Sequence, residues 1–274
     1  SVALLHAASA PPRSATFGRE LLGGVGAFSF DKIRSMHVRF PALHDVVVDV
    51  NGRYGISVVP GLQLLLPQLT CFTIITEIIL SSQGLVSFPD SLCALTGLKK
   101  LDLYDNKIAA LPDAIGDLKE LTDLHVGGNE LTALPDTLGA LTGLIALNAW
   151  NNKLTTLPES IAALTQMKKL SLTSNKFTTF PQPIVKLTSL TMLNLMNNQL
   201  VALSDSIATL TALEELDLYD NKLVTLPDSI AALLSLKTLD LNCNPLAKPQ
   251  STAVEAWLTA LRAGRCDVVM PSGW

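Results

Sequence analysis

Aromatic and acidic residues recur at fixed distances along this chain. Tyr104 and Tyr219 both stand in the segment LDLYDNK, at 101–107 and again at 216–222, each with an aspartate two residues before it and one after it. The two copies lie 115 residues apart, five times 23, and Trp150 and Met196 share the same 23-residue phase. Amphipathic aromatic side chains and methionine are enriched where proteins bind proteins. The chemistry that this column indicates is therefore non-covalent binding.

Polar residues accompany the aromatic column in neighbouring phases. The candidate partner-binding residues are Asp102, Tyr104, Asp105, His125, Asn148, Trp150, Lys169, Asn194, Met196, Asp217, Tyr219 and Asp240. Paired lysines at 99–100 and 168–169 and paired glutamates at 214–215 would orient a partner of mixed charge. The alternative is that these are ordinary solvated strand residues.

Residue patterns typical of catalysis are missing from the sequence. It contains no G-x-x-x-x-G-K-[ST], no G-x-S-x-G and no H-E-x-x-H, and its four histidines are scattered. Asp217 and Asp240 could approach each other, but two carboxylates on an open sheet make a poor cation cage. We therefore expect no enzyme activity, no catalytic residue, no metal site and no cofactor.

The strands and turns that must position these residues follow the same 23-residue period. The frame is L-x-x-L-x-L-x-x-N-x-L-x-x-L-P-x-x-I-x-x-L, and residues 98–118 form one full copy. Alternating inward leucines predict short strands that stack into one parallel sheet, and the half beginning with proline predicts a return as a short helical or extended turn. Ser204 stands where this phase otherwise has proline.

One asparagine recurs in every copy of the frame. The column consists of Asn106, Asn129, Asn152, Asn175, Asn198, Asn221 and Asn244, with Gln83 in the same phase one repeat earlier. A buried amide side chain can donate to and accept from the backbone groups that a bend leaves unpaired. The column therefore predicts a structural ladder rather than a binding site.

This frame resembles that of the leucine-rich repeat family, and its 23-residue L-P-x-x-I-x-x-L form is similar to the Ras-group proteins of plants and the repeat domains of Scribble and Erbin. The resemblance implies an α/β fold, a right-handed curved solenoid with a parallel sheet on the concave face and short turns on the convex face. It also implies a scaffold that binds proteins through the concave face.

The repeats predict three regions. Residues 1–51 are a non-repetitive segment and cap, in which VVVDV is a plausible strand; residues 52–247 hold about eight repeats, the first degenerate; residues 248–274 form a C-terminal cap and tail. Val254, Trp257, Leu258 and Leu261 have helical spacing, and Gly264 is a helix stop. A cap is needed because an end repeat would otherwise expose its apolar face.

Composition narrows the class of partner and compartment. With a net charge of −4 the chain has no basic field for nucleic acid, and the apolar window 59–80 follows the repeat phase, so we expect a buried repeat rather than a membrane span. Reduced thiols are expected, with Cys243 and Cys266 the pair to check as a disulfide. Without any N-x-S/T sequon, an intracellular, cytoplasmic location is favoured; an organelle, after removal of a targeting sequence, is the alternative.

Three functions fit these patterns. The first is a non-enzymatic scaffold that binds a protein partner on the concave face. The second is a structural or accessory subunit of a large assembly, for which an organelle is one location. In this case residues 1–50 would anchor the chain to the assembly. The third is the regulatory fragment of a longer signalling protein.

Overall fold

The computed structural model describes residues 35–40, 43–49 and 76–273. The predictions for the rest of the N-terminal segment, for the degenerate first repeat and for most of the apolar window 59–80 lie outside these residues. Of residues 1–50, which are predicted to contact an assembly, only the two strands at 35–40 and 43–49 are described. In the described part of the chain no helix combines the length and apolar character that crossing a bilayer requires.

In the residues that the structure describes, eleven strands form one sheet. In chain order they are β1 Ser35–Phe40, β2 Leu43–Asp49, β3 Glu77–Ile79, β4 Lys100–Asp102, β5 Asp123–His125, β6 Ala146–Asn148, β7 Lys169–Ser171, β8 Met192–Asn194, β9 Glu215–Asp217, β10 Thr238–Asp240 and β11 Asp267–Val269. Strands β3 to β11 are parallel neighbours in sequence order, and β1 and β2 form an antiparallel pair on the free edge of β3. The first four residues of the predicted VVVDV strand, 46–49, fall within β2, and its last residue lies outside the described residues.

In the described residues, seven repeats return through a five-residue 3-10 helix on the other side of the solenoid. These helices are Asp90–Ala94, Asp113–Asp117, Asp136–Ala140, Glu159–Ala163, Gln182–Lys186, Asp205–Thr209 and Asp228–Ala232. Proline precedes six of them, with φ between −65° and −77°, a value that its ring already fixes. Ser204 takes the same place before the sixth helix, where its hydroxyl accepts a hydrogen bond from the Ser206 amide.

The core lies between the strands and the 3-10 helices. Leucines of the frame such as Leu101, Leu103 and Leu118 are 0–1% exposed, and one continuous cluster of buried side chains runs from Ile78 to Cys266. Because every repeat buries its leucines against its neighbours, the sheet can direct its remaining side chains outward without loss of core.

The asparagine column lies at the end of each strand, buried in the turn. Asn152 donates to the carbonyl oxygens of Val126 (3.0 Å) and Ala149 (3.2 Å), and its Oδ1 accepts from the Leu131 amide (2.9 Å). The other six ladder asparagines bond in the same way, and all seven are at most 8% exposed.

The C-terminal cap contains a helix and a strand. The helix α1, Thr252–Ala263, begins after Ser251, whose hydroxyl accepts from the Val254 amide, and ends at Gly264 as predicted. It buries Val254, Trp257, Leu258 and Leu261. The tail after it was not expected to be ordered as a strand, but β11 pairs in parallel with β10 and extends the sheet by one strand.

Candidate interaction surface

The outward side chains of β3 to β11 and of the residues just after each strand form one surface, here called the sheet face. None of the twelve predicted partner-binding residues is buried. Tyr104, Asp105 and Lys169 are exposed, and the other nine are half-buried. The period places all twelve on this one surface because equal phases in successive strands are direct neighbours, as in the pairing of Asp102 with His125.

Tyr104 and Trp150 stack on each other although they belong to repeats two apart. Their ring centroids are 5.5 Å apart and the rings are inclined by 26°. The stack bridges over Gly127, which lies between them in the intervening repeat. Tyr104, Gly127 and Trp150 are called the aromatic platform below.

Gly127 is the residue that permits the stack, and sequence reasoning missed it. A Cβ atom at this position would lie 2.3 Å from Trp150 Cδ1, far inside van der Waals contact. The next residue, Gly128, has φ of +66°, and a Cβ there would lie 3.3 Å from the Tyr104 ring. The sequence feature that could have indicated this space is the pair Gly127 and Gly128, because the equivalent positions of the other repeats carry larger side chains.

Asp102, Asn148, Asn194, Asp217 and Asp240 share a structural task that the sequence-based prediction did not include. In each, Oδ1 accepts a hydrogen bond from the backbone N–H two residues further on, at distances of 2.8–3.3 Å. This local bond fixes the chain as it leaves the strand. The residue type at this position is therefore explained partly by folding. In Asn194 and Asp217 the second polar atoms also bond to each other, at 3.1 Å, whereas in Asp102, Asn148 and Asp240 the second polar atom is what the sheet face can offer to a partner.

Asp105 also has a conformational reason for its identity. Its φ is +53°, and φ lies between +48° and +56° at the other non-glycine residues of the same phase, which are Ser82, Asn151, Ser174, Asn197, Asp220 and Cys243. Aspartate, asparagine and glycine tolerate this left-handed conformation better than other residues. The Asp105 carboxylate also accepts from Ser82 Oγ at 2.9 Å.

A second feature of the sheet face lies near its C-terminal end. A cavity of about 250 Å³ opens between β8 and β11. Its lining residues are Met192, Leu193, Asn194, Glu215, Leu216, Asp217, Thr238, Leu239, Asp240, Asp267 and Val269. Four of them carry carboxylates, so we call it the acidic cavity.

Asp217 is the best connected carboxylate of the acidic cavity. It accepts from the Tyr219 amide (3.0 Å) and from Asn194 Nδ2 (3.1 Å), and Asn194 in turn accepts from Thr173 Oγ1 (2.6 Å). Burial raises the pKa of Asp217 above its ordinary value, and the neighbouring charge of Asp240 adds to the rise. The hydrogen bonds oppose this rise but do not cancel it.

One of the charged residues on the first strand positions already has a partner within the chain. Glu214 forms an ion pair with Lys237 at 2.6 Å, so it is already partnered within the chain. Lys169 is exposed on β7, in the middle of the sheet. Further carboxylates at the C-terminal end of the sheet face are Glu215 and the aspartates of the acidic cavity, and the orientation of a partner of mixed charge stays a prediction.

Metal and disulfide chemistry find no support in the described part of the chain. Within it no group of three His, Cys, Asp or Glu side chains could hold a metal ion. Cys243 and Cys266, the pair singled out in the sequence, are both unbonded; Cys243 is exposed and Cys266 buried. Burial raises the pKa of Cys93 to about 11, which keeps that thiol protonated and unreactive.

Two family models match the repeats of this chain. One, described as a leucine-rich repeat region, matches residues 56–176, and the other, described as leucine rich repeat, matches residues 188–246. No curated protein sequence matches the chain. The narrower likeness to the Ras-group and Scribble-type proteins stays a prediction.

Solved structures of similar fold include two plant receptors and a bacterial internalin. The ectodomain of the Arabidopsis receptor kinase HAESA, in complex with an N-terminally extended IDA peptide hormone, is 27% identical, with 72% of this chain and 34% of that chain covered and a TM-score of 0.60. The plant peptide hormone receptor RGFR1, in complex with RGF2, is 31% identical over 58% of this chain and 26% of that chain, with a TM-score of 0.53.

An internalin, InlF of Listeria monocytogenes, shares the fold at 23% identity, with 73% of this chain and 62% of that chain covered and a TM-score of 0.55. This chain spans about a third or less of the plant ectodomains that it matches. The repeat period, the asparagine ladder, the parallel sheet and both family models agree, and the chain belongs to the leucine-rich repeat family.

Proposed function

We propose that this chain is a non-enzymatic binding module that takes a segment of a partner protein on its sheet face. The observation that carries the proposal is the aromatic platform. Two large aromatic side chains are stacked in advance on a surface whose reverse side is the rigid core, so that binding orders few further side-chain torsions.

The size of the sheet face supports a protein segment as the partner. Nine parallel strands, each about 4.8 Å from the next, give a face roughly 38 Å long. That length suits an extended peptide or a protein surface better than a small molecule, which binds in an enclosed pocket. The HAESA and RGFR1 structures, both in complex with peptide hormones, support the same class of partner.

The test compares binding by two sets of variants. Tyr104→Ala with Trp150→Ala removes the platform, whereas Val201→Ala with Leu234→Ala removes exposed apolar side chains that lie outside the sheet face. Immobilised wild-type and variant proteins are exposed to the same extract, and captured proteins are quantified by mass spectrometry. We expect captured partners to be lost from the first variant and kept by the second.

Circular dichroism and thermal unfolding serve as the control for folding. Since Tyr104 is 37% exposed and the core lies beneath it, the platform variant should fold as the wild type does. Equal capture by both variants would show that the sheet face is not the binding surface.

A further inference from the structure

The charges along the sheet face are uneven in a way that indicates the chemistry of the bound segment. At the platform end, Asp102 and Asp105 flank Tyr104. At the other end, Asp217 and Asp220 flank Tyr219, and Asp240 lies beside Asp217 in the next strand. Both ends therefore present an aromatic ring together with carboxylates.

The path between the two ends is neutral. In the same columns β6 to β8 and the residues that follow them present Asn148, Ser171, Thr173, Asn194 and Met196. Lysines lie to one side of this path, on the first strand positions: Lys99 and Lys100 at the platform end and Lys169 in the middle. A segment lying over the path meets carboxylates at its two ends and uncharged side chains between them.

Each end can hold a cation in a different way. The faces of Tyr and Trp attract cations, and a guanidinium can stack on an aromatic ring while it donates to a carboxylate such as Asp102. The acidic cavity is concave, and a cationic side chain that enters it would meet Glu215, Asp217, Asp240 and Asp267. Burial and the neighbouring Asp240 raise the pKa of Asp217, and a cationic side chain beside the carboxylate would oppose this rise.

The spacing of the two ends follows from the sheet. The platform is centred on β5, and the acidic cavity is centred between β9 and β10, so they are separated by four to five strand steps, roughly 20 Å at about 4.8 Å per step. An extended chain advances by about 3.3 Å per residue. Two side chains that reach both ends are therefore about six residues apart.

We propose that the sheet face binds an extended peptide segment with two cationic side chains about six residues apart, one stacked on the aromatic platform and the other in the acidic cavity. Charge complementarity with the two carboxylate-bearing ends selects this occupant. The inference rests on the proposed function and names the partner class of the same surface.

The first experiment is a titration of the full chain with fluorescent synthetic peptides. One peptide carries two arginines six positions apart in a Ser/Gly/Ala background, a second carries them two positions apart, and a third carries glutamates in their place. We expect the six-position peptide to bind about tenfold more tightly than the two-position peptide, because only it reaches both ends, and the glutamate peptide not to bind.

Matched variants separate the effect of the carboxylates in the acidic cavity from the effect of the net charge of the protein. Asp217→Asn with Asp240→Asn removes two carboxylates from the acidic cavity, and Asp113→Asn with Asp136→Asn removes two exposed carboxylates from the 3-10 helices on the other side. The first variant should weaken the six-position peptide about tenfold, and the second less than about twofold. Equal weakening by both variants, or equal affinity for both arginine spacings, would overturn the inference.

Selection from a random peptide library distinguishes failure of the two-cation inference from failure of the proposed binding function. Peptides retained by the wild type but not by Trp150→Ala should be enriched in two Arg or Lys residues at the expected spacing. Enrichment of peptides without such cations would overturn the inference and leave the binding module intact. If no retained peptide depends on Trp150, both the inference and the proposed function are wrong.

Discussion

The segment LDLYDNK occurs twice, and its two copies have different surroundings. At 101–107 it places Tyr104 in a stack with Trp150; at 216–222 it places Asp217 in the lining of the acidic cavity and the Tyr219 hydroxyl beside the Cys243 thiol. The internal geometry is nevertheless the same. In both copies the aspartate accepts from the tyrosine amide, at 2.8 Å and 3.0 Å.

The difference arises in the repeat that follows each copy. After the first copy that repeat contributes Gly127 and Gly128, which leave space above the sheet for an indole from one repeat further on. After the second it contributes Asn242 and Cys243, which carry side chains at the positions where the first copy is followed by glycines. The neighbour of the first aspartate is also His125 in one copy and Asp240 in the other. In a solenoid, therefore, the next repeat decides what an outward residue can do.

The largest expected effect concerns a feature that both copies share. Asn106→Ala and Asn221→Ala should each lower the free energy of unfolding by about 2 to 4 kcal/mol, because each leaves several buried backbone groups without a partner. Chemical denaturation measures both. Gln199→Ala, which removes an exposed amide, is the control, and a loss at only one of the two asparagines would show that the ladder is not equivalent in the two copies.

The aromatic platform can be broken without touching an aromatic residue. Gly127→Ala places a methyl group where the indole lies, so we expect the Trp150 ring to turn away from Tyr104 at a cost of about 1 kcal/mol. The indole N–H resonance of Trp150 should shift in an NMR spectrum. Gly143→Ala is the matched control, since its nearest neighbouring atom would be 3.9 Å away, and an unchanged Trp150 resonance in Gly127→Ala would contradict the packing argument.

A smaller effect is expected for the charge of the acidic cavity. Asp240→Asn keeps the acceptor for the Asn242 amide but removes a negative charge next to Asp217, so the raised pKa of Asp217 should move towards its ordinary value of 3.8. A raised carboxyl pKa favours stability below the unfolded-state pKa, and this contribution is lost as pH rises through the folded-state pKa. The variant should therefore gain stability over the wild type at neutral pH but not near pH 3.

Carboxyl carbon chemical shifts of Asp217 across a pH titration measure this directly. Asp102 provides the internal comparison, because its strand neighbour is His125 rather than a carboxylate. An Asp217 pKa that does not change in Asp240→Asn would show that burial alone raises it.

The smallest effect concerns Tyr219. Its interaction with the Cys243 thiol raises its pKa, and Cys243→Gly should bring the pKa back towards 10 while making this repeat resemble the one after Tyr104. Glycine also suits the φ of +55° at this position. Ultraviolet absorbance titration at alkaline pH follows the phenol, and Tyr219→Phe identifies its signal.

Much of the fold could be predicted because the same pattern of leucine and asparagine positions recurs from repeat to repeat. Inward leucines that alternate with outward residues, and an asparagine every 23 residues, satisfy core packing and backbone hydrogen bonding locally, so the frame predicts the parallel sheet and the turns. The helical spacing of Val254, Trp257, Leu258 and Leu261 predicts the C-terminal helix separately. The tail strand β11 was missed because three residues, Asp267–Val269, give no period to detect. Its pairing depends on the free edge of β10.

For the binding surface, the sequence by itself determined which residues face outward and which are neighbours in adjacent strands. The 23-residue period fixes the side that each residue faces, and the strand register fixes its neighbour. The tertiary structure alone decided which of them touch. The Tyr104–Trp150 stack needs two repeats to be superposed with an empty position between them, and the acidic cavity needs the wall that β11 adds beside β10. Both depend on the three-dimensional space between side chains far apart in the chain, which no single repeat encodes.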